Sequence, residues 1–126
     1  LNDPHNGYGP NMFLRKAQKK QNIELFGKGE EKRDHVYVDD VGKIITFLIT
    51  NNLKGVFNIT SGHLLSFKQI ALMMKKFINP NTILEFKKRN GPMPHNGYRP
   101  FNNNKIFEIF PDFKFNNIEN WLKDIK

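Results

Sequence analysis

An α/β fold is expected because short runs of branched and aromatic residues alternate along the chain with segments whose apolar residues recur at helical spacing. Glycine and proline turns punctuate the alternation, and no linker or internal repeat divides it. With 126 residues, 38% of them hydrophobic, the chain can bury one core, so a single domain over 1–126 is expected.

The elements follow in order. The opening stretch around Gly7, Gly9 and Pro10 is rich in turn formers, and residues 12–20 read as a short helix with Phe13, Leu14 and Ala17 on one side. Ile23 and Leu25 then suggest a strand that ends in the tight turn Gly27-Lys28-Gly29. The run His35-Val36-Tyr37-Val38 has high β propensity, and Asp40 reads as the N-cap of a helix carrying Val41, Ile44, Ile45 and Leu48. After Gly55, Val56-Phe57-Asn58-Ile59 reads as a further strand. Ser66 with Gln69 three residues on is a capping box, opening a helix whose stripe is Phe67, Ile70, Ala71, Met74 and Phe77. Residues 82–86 suggest a strand, residues 91–100 a loop restricted by its prolines, and residues 102–110 a short helix stopped by Pro111. A last helix is expected from Asn116, boxed by Glu119, with Ile118, Trp121, Leu122 and Ile125 on its apolar face.

Composition excludes several classes of function. With no cysteine, there is no disulfide, no thiolate metal site and no cysteine nucleophile. His5, His35, His63 and His95 are too dispersed for paired-ligand spacing, so no metal is expected. No apolar run approaches the roughly 20 residues of a membrane span, and a soluble, cytoplasmic protein without a membrane partner is expected. The net charge of +8 comes mostly from scattered lysines, which read as solvated surface; a nucleic-acid partner is not expected. The four arginines carry more information, because a planar fork suits a phosphate better than a point charge does.

Asn6-Gly7-Tyr8-Gly9-Pro10, then Gly27-Lys28-Gly29 with Arg33-Asp34 and Val38-Asp39-Asp40, then Val56-Phe57-Asn58-Ile59 before Ser61-Gly62, occur in an order and spacing that resemble one family. It is the extended short-chain dehydrogenases, the NAD-dependent epimerases and dehydratases of nucleotide sugars. The resemblance implies a Rossmann-type fold of which this chain is the carboxy-terminal, substrate-binding lobe, the cofactor-binding half being absent. It implies a nucleotide diphosphate sugar as ligand, with NAD(P) bound mainly by the missing half and the intact enzyme a homodimer. The implied chemistry is transient oxidation of the sugar at carbon 4, with a tyrosine as base, then re-reduction after epimerisation or dehydration. The Leu1 start, already among turn formers, fits a fragment.

Residue by residue, the resemblance makes Arg33 a phosphate-binding arginine, though an ion pair with Glu30 or Asp39 is the plainer alternative. Leu25 and Phe26 correspond to the segment that lies against the nucleobase, or else to core. Asn58 corresponds to a nucleotide-contacting asparagine, or to a structural one. Asn6 contacts phosphate or sugar, or holds its turn, and Tyr8 packs. Arg99 resembles the second phosphate or ribose arginine, with Arg89 as the alternative, and Asn102 and Asn104 stand where the family has Asp and Ser. The family's Tyr-x-x-x-Lys pair has no counterpart: four residues after Tyr8, Tyr37 and Tyr98 stand Met12, Val41 and Asn102. A basic nucleotide- or nucleic-acid-binding module without catalysis is the alternative reading.

Overall fold

A computed structural model describes residues 9–125. Helix α1 is Gly9–Gln18, and its buried residues are Gly9 and the expected Phe13, Leu14 and Ala17. It starts earlier than the apolar spacing suggests because Pro10, with its fixed φ, suits a first helical position. Gly9 itself is at φ +32°, and a Cβ there would meet Phe67 Cε1 at 2.9 Å. At the other end Lys20 adopts φ 57° while Gln21 N donates to Lys16 O at 2.8 Å, a left-handed stop without glycine.

Strand β1, Ile23–Phe26, turns Ile23 and Leu25 into the core and leaves Glu24 and Phe26 outside. It pairs in parallel with β4, Leu84–Lys87, in the register Ile23↔Leu84 to Phe26↔Lys87. Strand β2, Lys32–Asp34, pairs antiparallel with β3, Leu64–Ser66. Between them runs α2, Val38–Thr50, and β3 leads directly into α3, Phe67–Phe77. A single 3₁₀ turn, Pro94–Gly97, then α4, Asn104–Ile109, and α5, Ile118–Asp124, complete the described chain.

The α/β class holds, and one core lies between α1, β1, α3 and α5: Phe13, Leu14, Ala17, Ile23, Leu25, Ile70, Ala71, Met74 and Leu122. The capping box at α3 forms as expected, with Gln69 N donating to Ser66 Oγ at 3.1 Å and Ser66 N donating to Gln69 Oε1 at 2.8 Å. Away from this core Ile44 and Ile106 are buried, and Phe47 stacks on Phe110 at 4.2 Å between centroids.

Several elements differ from the sequence reading. The strand expected at 35–38 lies at Lys32–Asp34, because β3 supplies its partner there and Val38 already begins α2. Asp40 is not the cap: Tyr37 takes that position without a side-chain bond, and Asp40 sits in the first helical turn, fully buried. Its carboxylate accepts hydrogen bonds from Asn116 N and Asn116 Nδ2, each at 2.7 Å, tying α2 to the approach of α5. Asn116 is thereby used, and α5 is capped one residue later, by Asn117 Oδ1 accepting from Asn120 N at 2.8 Å. Residues 56–59 have no strand pairing among the described residues, and Val56 is 86% exposed.

One apolar face of α2 stays uncovered. Along α2, Val38 and Ile49 are each 72% exposed, and Ile45 is exposed with them. No helix among the described residues is long and apolar enough to cross a membrane.

Candidate functional site

The turn after β1 is fixed to the start of α3. Gly29 adopts φ +66°, which glycine tolerates, and its carbonyl accepts from Lys68 N at 2.9 Å while Glu31 O accepts from Phe67 N at 3.1 Å. The first amides of α3 are thus spent on this loop, which holds residues 29–31 against the helix. Between the start of α1, the end of β1, this loop and Phe67 lies a cleft of about 160 Å³, with Arg89 and Glu31 among its walls.

Glu31 is the centre of that site. Its side chain is only 12% exposed and faces two guanidinium groups. Arg33 Nη2 donates to Oε1, and Arg89 Nη1 donates to Oε2 at 3.2 Å. Backbone carbonyls hold the outer ends: Arg33 Nη1 donates to Lys32 O at 2.7 Å and Nη2 to Pro94 O at 3.3 Å, while Arg89 Nη2 donates to Phe26 O at 3.3 Å. Two cations share one carboxylate, and Glu24 is a second acid on the cleft lining, so the four groups carry no net charge. The fork-shaped donors of the two arginines match phosphate oxygens.

Arg33 and Asp34 point apart, as neighbours on a strand must. The Asp34 carboxylate accepts from Ser61 N at 3.1 Å, Ser61 Oγ at 2.7 Å and Gly62 N at 2.7 Å. One residue of the pair therefore pairs with Glu31 and the next closes the turn before β3.

His35 follows, its ring edge-on to Phe67 at 6.0 Å, with Nε2 enclosed and unpartnered among the described residues. Burial pushes its pKa below the usual 6.5, against the pull of Asp34 and with a small push from Arg33. Neutral His35 is then favoured in the folded chain, so the stability it contributes is present above the unfolded pKa and is lost as pH falls through the lowered folded value. Wild type is expected to lose more unfolding free energy between about pH 7 and pH 5 than His35→Phe does, by urea unfolding at each pH. Equal pH slopes would rule out burial of His35 as the source.

Of the sequence-derived candidates, Leu25 and Phe26 both line the cleft, but with different exposures. The Leu25 side chain is 2% exposed and belongs to the core, whereas Phe26 is 60% exposed and presents its ring. Arg33 does not line the cleft itself; it pairs with Glu31, which does, rather than with Glu30 or Asp39. Arg89 is on the cleft wall. Arg99 stands elsewhere, its Nη1 3.1 Å from His95 Nε2 and its guanidinium 5.2 Å over Phe101. Asn58 is exposed and donates to Asn102 O at 3.0 Å, which ties residues 56–59 to the approach of α4. Asn6 and Tyr8 lie outside the described residues. Sequence reasoning missed Glu31: in Glu30-Glu31-Lys32-Arg33-Asp34 it looks like solvated charge, and the one available signal is that it stands two residues before Arg33, on the same side of an extended chain.

Fold and site together define a Rossmann-type α/β protein with a cleft walled by Glu31 and Arg89. The match to known proteins is narrower. Residues 4–60 fit the NAD dependent epimerase/dehydratase family. A solved UDP-glucose 4-epimerase from Thermotoga maritima, with UDP-glucose, superposes with a TM-score of 0.76 at 26% identity, over 96% of this chain and 39% of that one. UDP-glucuronic acid decarboxylase 1 of Arabidopsis thaliana is 27% identical over 100 residues, 71% of this chain and 23% of the relative. ADP-L-glycero-D-manno-heptose-6-epimerase of Fusobacterium nucleatum is 33% identical over 82 residues, 64% of this chain and 24% of the relative. The chain resembles the NAD-dependent epimerases and dehydratases, in sequence over residues 4–60 and in fold over nearly all of its length. It spans about a quarter of the length of these curated relatives.

Proposed function

We propose that this chain is the nucleotide-sugar-gripping lobe of an NAD-dependent epimerase or dehydratase, acting on a nucleotide diphosphate sugar. The observation that carries the reading is the pair Arg33 and Arg89 on opposite oxygens of Glu31, beside the exposed ring of Phe26. Two forks suit a diphosphate, and the ring offers a stacking face to a nucleobase. Leu25 supplies the buried floor that fixes Phe26. The solved relative with UDP-glucose supports a uridine diphosphate sugar as the first probe. Asn58 and Arg99 do not line the cleft and have no part in this grip.

The described residues do not fit the dinucleotide cofactor. Its pyrophosphate needs a glycine-rich turn from strand into helix. Here Gly27 and Gly29 lie between two strands, while β3 enters α3 at Ser66 without glycine. We assign NAD(P), and with it the hydride chemistry, to another lobe. The exposed Val38, Ile45 and Ile49 of α2 and the unpaired residues 56–59 offer that lobe an apolar face and a strand to pair.

Calorimetric titration of the full protein with UDP-glucose, and separately with a mixed-sequence oligonucleotide at low and high salt, tests the reading. Saturable UDP-glucose binding is expected. Binding to the oligonucleotide alone, lost steeply with salt, would favour instead a basic nucleic-acid module that uses the +8 charge.

A further inference from the structure

We infer that Glu31 is a positioning residue that braces Arg33 and Arg89 into one clamp and so makes the cleft select a diphosphate over a single phosphate group. The inference rests on the reading of the cleft as a phosphate site, and it concerns a residue that need not touch the ligand.

The geometry has a simple consequence. Each carboxylate oxygen of Glu31 takes one guanidinium, so the distance between the two forks is set by the width of one carboxylate. Without it, two like charges at a partly buried wall would repel and separate. The remaining contacts are carbonyls on three different segments: Lys32 in β2, Pro94 in the 3₁₀ turn and Phe26 in β1. Each of these holds one arginine, and Glu31 is the group that joins them. The joint is itself fixed, since the Glu31 carbonyl accepts from Phe67 N at the start of α3. Part of each fork stays available, because a guanidinium has five N–H donors and neither arginine spends all of them on these partners.

A clamp of fixed span rewards a ligand that fills both forks at once. Pyrophosphate has oxygens on two linked phosphorus atoms and can engage both. Inorganic phosphate engages one fork well and gains little from the second. Preorganisation by Glu31 therefore appears in the ratio of the two affinities more than in either one. Glutamine at this position has one acceptor oxygen and a donor amide, so it holds one arginine and presses on the other.

The test is titration of the full protein, wild type, Glu31→Gln and Glu31→Asp, with sodium pyrophosphate and with inorganic phosphate, alongside UDP-glucose and a thermal melt. In Glu31→Gln the preference for pyrophosphate is expected to fall roughly tenfold, with inorganic phosphate within about twofold of wild type. Glu31→Asp keeps both oxygens on a shorter stem and should retain an intermediate preference, and it carries the test if Glu31→Gln does not fold. Tighter binding of both anions by Glu31→Gln would mean that Glu31 only neutralises charge and would overturn the inference. Equal weakening of both, tracking a lowered melting temperature, would reduce Glu31 to a structural role and overturn it as well. Wild type that binds UDP-glucose, with the preference unchanged in both variants, sinks this inference alone; wild type that does not bind UDP-glucose sinks the reading of the cleft beneath it.

Discussion

Replacing Asp40 with alanine is expected to cost about 2 kcal/mol of stability, because it removes a fully buried carboxylate that accepts both Asn116 bonds. The carboxylate has no exposed area and receives two bonds of 2.7 Å from one residue. Asn116 is itself exposed, so water takes up part of the loss, while the lost carboxyl leaves a small void in the core. The Lys43 ion pair at 3.5 Å adds little, since that side chain is 61% exposed and screened. Asp40→Asn should lose less, because its amide oxygen replaces one acceptor while its NH₂ faces a donor. Asp39→Ala, next door but exposed, should change stability by about 0.5 kcal/mol or less and serves as the control. Urea unfolding of the three variants decides: Asp40→Ala indistinguishable from Asp39→Ala would mean the Asn116 contact holds nothing.

Asp40 also illustrates what the sequence reveals and what it withholds. Helices α1 and α3 are legible because their signals are local: apolar spacing picks Phe13, Leu14 and Ala17, and Ser66 with Gln69 marks a cap within four residues. The role of Asp40 is not local, since its partner lies 76 residues away. A short acidic residue ahead of an apolar run reads as a cap whenever that partner is invisible. Strands fail for the same reason. His35 to Val38 has the better β propensity, yet Lys32–Asp34 is the strand, because β3 pairs there. Residues 56–59 have strand composition and no partner among the described residues, so composition alone does not make them a strand.

The site divides along the same line. Arg33 and Phe26 were singled out through motif and spacing; Phe26 lines the cleft, and Arg33 reaches it only through its ion pair with Glu31. Glu31 was not, since five successive charged residues look alike until a strand fixes which face each takes. Arg99 was the sequence's candidate and Arg89 its alternative, and the loop between them is long. Its conformation separates them: His95 at φ 51° and Asn96 at φ 50° fold a tight turn ahead of Gly97, and Arg99 leaves that turn against His95 and Phe101.

That separation gives the binding prediction its shape. Arg33→Ala and Arg89→Ala, each in the full protein, are expected to weaken UDP-glucose binding by about 1.5–3 kcal/mol, the range for a hydrogen bond to a charged group. The loss should lie in affinity rather than in fold, since each arginine leaves its partner still paired to Glu31. Because both share that carboxylate, the double variant should lose less than the sum of the singles. Arg99→Ala, exposed and resting on Phe101, is expected to cost about 0.5 kcal/mol or less. Calorimetry on the four variants separates the assignments. A large loss for Arg99→Ala with wild-type affinity in Arg89→Ala would move the second phosphate contact to Arg99, and would mean the turn at 95–97 swings that side chain back toward the cleft when ligand enters. Wild-type affinity in Arg33→Ala would count against the cleft itself, since no other arginine lies on β2.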